Sequence, residues 1–190
     1  PSLPYVVPPA LPDMRKRIFV KGQMLTIRPA ESGMYRGIEM KRDKVPSILE
    51  ISGGDVVLHI TGDIDMGQGC EIRIDKGSTL RLYVDGDIKA GNSDGFNNLG
   101  TPPDFKLWGR WRGRAVSQKW ELKAKSEFFG QLYAPNADVI AKAQADLYGA
   151  FTARSFQMMN GGNLYYDGAL RDVSLGEDAV RFVLKRWHEM

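Results

Sequence analysis

Hydrophobic and polar positions alternate along most of this chain, and the alternation returns in register. In VVLHITGDIDM, Val56, Leu58, Ile60, Ile64 and Met66 share one face; in EIRID, Ile72 and Ile74 do the same with charges between them. TLRLYVDGDIKA rewrites the first phrase. With Gly62-Asp63-Ile64 laid on Gly86-Asp87-Ile88, an offset of 24, Val56, Leu58 and Ile60 fall on Leu80, Leu82 and Val84, and Ala90 continues the row. A period of two is the mark of a strand with one face buried. FFGQLYAPNADV and DLYGAFTARSFQM form a second couple, 19 residues apart when Gly130 is laid on Gly149. That register matches Phe129 with Tyr148, Leu132 with Phe151, Ala134 with Ala153, Ala137 with Phe156 and Val139 with Met158, with Tyr133/Thr152 and Asp138/Gln157 more polar between them. A weaker third copy in NLYYDGAL places Tyr165-Tyr166 eighteen residues after Leu147-Tyr148.

Short strands, glycine or asparagine corners and a repeat drifting between about 18 and 24 residues predict a parallel β-helix. Each strand then pairs with its copy one turn on, about 4.8 Å away, so like residues stack on like. An antiparallel sandwich also has short strands but gives no reason for registered copies. Leu132, Ala134, Ala137, Val139, Phe151, Ala153, Phe156 and Met158 are expected inside, stacked in pairs. RKRIFVKGQMLTI, Arg15 to Ile27, reads as a first strand pair turning at Lys21-Gly22. Asn92 to Asp104 reads as an irregular loop, after which FKLWG resumes a strand and Trp120, Leu122 and Ala124 alternate again.

Three segments follow. Residues 1–14 hold five prolines in their first twelve positions and read as a stiff, extended linker. Residues 15–175 form the β-helix. Residues 176–190 form a cap over its open end, read as helix from Val180, Val183, Leu184 and Trp187 or as strand from Val180, Phe182 and Leu184.

Composition narrows the function classes. Of 190 residues 26 are basic and 23 acidic, a net charge of +3 that is too small and too scattered to point to nucleic acid. No apolar run reaches membrane-spanning length, so no membrane contact is expected of these residues themselves; the chain begins at Pro1, and an anchor upstream is left open. Cys70 is the only cysteine and reads as a small core residue, and His59 and His188 are the only histidines. No disulfide, no metal site and no cofactor is expected.

Candidate chemistry is sparse. Asp63 and Asp87 follow equivalent glycines one turn apart, at a spacing near that of a paired-carboxylate glycosidase, or as corner residues whose carboxylates cap backbone N–H groups. The second reading is preferred, because no base and groove accompany them. Asp85, Asp87, Asp94 and Gly95 imitate a calcium loop, but Lys89 stands where an oxygen ligand belongs. Ser117, Ser126, Ser155 and Ser174 lie in no nucleophile motif, no phosphate-binding loop occurs, and Asn136 and Asn160 read as corner residues. The one surface with recognition chemistry is KLWGRWRGR. Trp108 and Trp111 interleave with Arg110, Arg112 and Arg114, the types that dominate binding hot spots and stack on sugars or anionic polymers.

GQLYAPNADV, ADLYGAFTARSF, NLYYDGAL and the terminal VRFVLKRWHEM, with LRLYVDGDIKAG and FKLWG before them, resemble the C-terminal domain of a group of bacterial envelope proteins. Members of that group often begin with a pilin-like, PilX-type helix, and the resemblance runs from about Tyr35 to the last residue. It implies a right-handed single-stranded parallel β-helix, distantly bactofilin-like, located periplasmically or on the cell surface. It assigns no catalytic residue. Two departures are a Tyr at 165, where the group usually has histidine before Tyr-Asp, and a more basic and aromatic insertion, GRWRGRAVSQKW. The expected function is a non-catalytic display or assembly module with pilus or secretion-system components, or an anionic glycan, as partners. The alternatives are a carbohydrate-binding or carbohydrate-active β-helix and a bactofilin-like, polymer-forming scaffold.

Overall fold

A three- to six-residue strand with one apolar face gains stability only by pairing on both edges and covering that face, and this chain does both by coiling. The computed structural model describes residues 3–90, 95–110, 113, 117–123, 128–142, 146–159 and 163–166. The first coil comprises β1 (Ile18–Lys21), β2 (Met24–Ile27) and β3 (Gly33–Tyr35). The second comprises β4 (Ile38–Lys41), β5 (Ile48–Ile51) and β6 (Asp55–Ile60), and the third β7 (Ile64–Met66), β8 (Glu71–Ile74) and β9 (Thr79–Val84). The fourth comprises β10 (Ile88–Lys89), β11 (Phe96–Asn98) and β12 (Phe105–Gly109). β13 (Gln118–Lys123), β14 (Phe128–Lys142), β15 (Leu147–Met159) and β16 (Leu164–Tyr166) follow. Every pair is parallel and joins a strand to its copy one coil on, which makes the fold a parallel β-helix.

The coil has three faces. β1, β4, β7, β10 and β13 form the first; β2, β5, β8 and β11 the second; β3, β6, β9 and β12 the third. Then its section changes. β14 continues the third face in its first half, with Leu132 on Leu107, and the first face in its second half, with Val139 on Trp120. β15 turns the same corner beside it, so one long bent strand replaces two short ones. The repeat shortens to match. Neighbours on the third face are 25 residues apart at Leu107 and Leu132 but 19 apart at Leu132 and Phe151. The drifting period in the sequence thus records a coil that narrows along its axis.

The interior is continuous from Ile18 to Leu147. Val56, Leu58 and Ile60 stack on Leu80, Leu82 and Val84, and Ile64 on Ile88, as the offset of 24 requires. Cys70 is fully buried, in keeping with a core role. Trp120 fills the section between Ile88 and Val139 and donates its indole N–H to the Gly86 carbonyl at 3.2 Å. Phe96, Phe105, Phe128 and Phe151 form an internal row with successive ring centroids 5.3, 5.2 and 5.7 Å apart. Leu132, Ala134, Ala137 and Val139 are buried, and Phe151, Ala153, Phe156 and Met158 are half-buried against the same core.

Four expectations need correction. The 19-residue register holds from Phe128 to Ala134 and then breaks: Asp138 sits on Ser155 and Val139 on Phe156, 17 apart. Three residues, Pro135 to Ala137, round a corner that β15 rounds with Arg154 alone. Tyr165 sits on Tyr148, not on Leu147, so the last repeat is also 17. β1 and β2 do not pair with each other but open two different faces, with Gly22 (φ +56°) near the corner between them. Within Asn92 to Asp104, Phe96–Asn98 is β11, with Phe96 in the core. Ala124, Asn160 and the cap at 176–190 lie outside the described residues.

Segment 3–14 carries no helix and no named strand, and it is hydrogen-bonded to the coil at both ends. The Tyr133 hydroxyl donates to the Pro4 carbonyl at 2.8 Å. At the other end the Met34 N–H donates to Pro12 O at 2.8 Å, and Met14 N–H to Met34 O at 3.0 Å.

Candidate binding surface

Strand alternation that sends Leu58, Leu82, Leu107 and Leu132 inward sends their neighbours outward, and the register lines those neighbours up. Met34, His59, Tyr83, Trp108, Tyr133 and Thr152 form one column across the third face, one residue from each successive strand. Outward positions of a solenoid are ordinarily wet. Here Tyr83 is 1% exposed and His59 5% exposed, while Tyr133 is buried and Trp108 half-buried. Tyr83 and Trp108 meet edge to face with centroids 4.8 Å apart, a favoured aromatic geometry. Burial raises the pKa of the Tyr133 hydroxyl, so it keeps its proton and remains a donor.

At one end of these strands three consecutive coils contribute a polar cluster. His59 Nε2 lies 2.9 Å from Asp85 Oδ1, within hydrogen-bond reach. Arg110 brings its guanidinium to 3.8 Å from Asp85 Oδ2 and 3.5 Å from His59 Nε2. The Asp85 and His59 side chains are buried, and that of Arg110 is one-third exposed. A second outward column, Val57, Arg81, Lys106 and Gln131, runs beside the first. There burial, and then Arg81, lower the pKa of the Lys106 ammonium. Gln131 is buried as well, and its Oε1 has no donor within hydrogen-bond reach. The surface therefore offers aromatic faces, a phenolic donor, an amide acceptor and a guanidinium on a rigid sheet.

Of the residues marked out in the sequence, the structure places Trp108 on β12 in the aromatic column and Arg110 just beyond it, in the polar cluster. Trp111, Arg112 and Arg114 lie outside the described residues. His59, Tyr83, Asp85 and Tyr133 were missed as members of one surface. Carrying the 24-residue offset one position outward, from Leu58/Leu82 to His59/Tyr83, brings the first two together.

Asp63 and Asp87 do stand one coil apart at the same corner. Asp63 Oδ1 accepts the backbone N–H of Asp87 at 2.8 Å, and Asp87 Oδ1 accepts that of Lys119 at 2.8 Å. Each carboxylate ties its own coil to the next. Asp138 acts similarly at the β14 corner, accepting from Arg154, Ser155 and Ser117. Its pKa is held well below the ordinary carboxylate value, first by Arg154 and then by the two hydroxyls. Among the described residues no group of histidine, cysteine and acidic side chains has the arrangement of a metal site, and no helix is long and apolar enough to cross a membrane.

The molecule is thus a parallel β-helix with a structured outer aromatic column. The family model DUF7305, a domain of unknown function, matches residues 21–173, and the chain belongs to that family. No curated protein and no solved structure matches it.

Proposed function

We propose that this chain is a non-catalytic module for display or assembly in the bacterial cell envelope, within a pilus- or secretion-related protein. The observation that carries the non-catalytic reading is the use made of Asp63 and Asp87. A paired-carboxylate mechanism needs one acid to protonate a leaving group and the other to attack or to activate water. Both of these accept backbone N–H groups of the following coil instead. The envelope placement is supported by the resemblance of GQLYAPNADV and ADLYGAFTARSF to envelope-protein domains. Partners would be other components of such an assembly. For an anionic glycan, Arg110 with Arg112 and Arg114 supplies the complementary charge.

A polymer-forming scaffold is the second reading, and one observation favours it: among the described residues β1 and β2 pair on one side only, with Phe19 and Met24 exposed beside them. Incubation with a polysaccharide panel and sedimentation over a range of concentrations separate the readings. A display module gives no cleavage products and a concentration-independent sedimentation coefficient. Cleavage that is lost in Asp63→Asn and Asp87→Asn overturns the non-catalytic reading, and growth into filaments establishes the polymer. Fractionation of the source cells tests the location.

A further inference from the structure

We propose that the column from Met34 to Tyr133 is a docking track for polyproline-II segments, with the chain's own Pro4–Pro12 as its resident occupant. The inference stands apart from the assembly reading, because it rests only on this surface. The two ends of the strap are bonded to the two ends of the column: Tyr133 to Pro4 O and Met34 to Pro12 O. Four inter-strand steps make the column about 19 Å long. Eight residues of polyproline II reach about 25 Å, enough to cross it without a fold-back. The strap has two faces, as a segment lying on a surface should: Val6, Pro8, Pro9 and Leu11 are half-buried, while Tyr5 is 76% and Val7 70% exposed.

The chemistry of the track is that of polyproline recognition. Such segments carry no internal hydrogen bonds, present prolines to aromatic faces and offer backbone carbonyls to side-chain donors. Tyr83, Trp108 and Tyr133 supply aromatic surface, and the Tyr133 hydroxyl already donates to a strap carbonyl. Gln131 lies on the same face of β14, two residues from Tyr133, and is buried beside it.

The test uses the full chain. In Pro8→Gly/Pro9→Gly the strap loses its stiffness but the coil keeps every residue, which an unchanged melting temperature checks. A fluorescent peptide of sequence PSLPYVVPPALPD is titrated into both proteins. The loosened variant should bind it, and the wild type should bind it at least about tenfold more weakly, because its own strap holds the track. Adding Tyr133→Phe or Trp108→Leu to the loosened variant should weaken binding by about tenfold. Equal binding to both proteins, binding to neither, or indifference to both added substitutions overturns the proposal. A second measurement needs no peptide. Tyr133→Phe alone, at unchanged melting temperature, should speed proteolysis within residues 3–14, and an unaltered cleavage rate there overturns the proposal independently.

Discussion

Gly149 stacks on Gly130 so closely that the Gly130 carbonyl occupies the place a Cβ on Gly149 would take, and Gly149 has a φ of +145°. The two glycines that mark the repeated phrase are there for space and for backbone conformation together. Gly149→Ala should therefore cost about 2–4 kcal/mol, combining strain with overpacking. Urea denaturation measures it, and an unchanged midpoint would show that β15 has room to shift.

The internal phenylalanine row sets a gradient. Phe105 is fully buried between Leu80 and the rings of Phe96 and Phe128, whereas Phe151 is half-buried where the described core thins. Phe105→Ala should cost about 3–5 kcal/mol, the usual price of a cavity this size. Phe151→Ala should cost about half as much, since burial is incomplete. Measured side by side, the reverse order contradicts this placement of the core.

Asp138 makes stability acid-sensitive. Its folded-state pKa lies below the unfolded carboxylate value of 3.8, so its contribution is present above that value and disappears as pH falls through the lower, folded pKa. Asp138→Asn should melt earlier than the wild type at neutral pH, and the gap should close as the pH is taken below 3.8. The side chain is partly exposed, so the gap is small and should shrink in salt as well. A difference that persists at the lowest pH assigns the effect to packing.

Binding by the Trp108–Arg114 segment can be separated from folding. Trp111→Ala/Arg112→Ala should weaken capture of an anionic glycan or acidic protein while leaving the melting temperature nearly unchanged, and that capture should fall as salt rises. Trp108→Ala behaves differently. It removes the ring packed on Tyr83 and should cost about 1–2 kcal/mol. A double variant that melts much earlier means Trp111 and Arg112 are packing residues.

Much of the coil was legible because its corners are regular. Val56 finds Leu80, and Ile64 finds Ile88, through one offset, since the intervening corners have equal length. Val139 did not find Phe156. The slip at Pro135–Ala137 is two residues, and a slip of two leaves every side chain on its own face, so alternation cannot report it. Tyr165 was off by one, which reverses faces, because three residues are too few to fix a register. Phe96 was hidden by the glycine and asparagines around it. The binding column was obscured for another reason: His59, Tyr83, Trp108 and Tyr133 repeat a position and not a residue type. Two members of the column, Met34 and Tyr133, are also bonded to the N-terminal segment, a pairing that local pattern does not carry.

A coil whose turns touch only their neighbours would surrender a pull at its end one turn at a time, β1 first. The bond between Pro4 and Tyr133, 129 residues apart in sequence, changes the load path. Tension entering at the N-terminal side meets β14 before it meets β1, and then travels back toward the Pro12–Met34 attachment on β3. The strap works as a mechanical shunt. It delivers force first to β14, well inside the coil, and only afterwards to the strands of the first coil, β1 among them, that stand at the sheet edges.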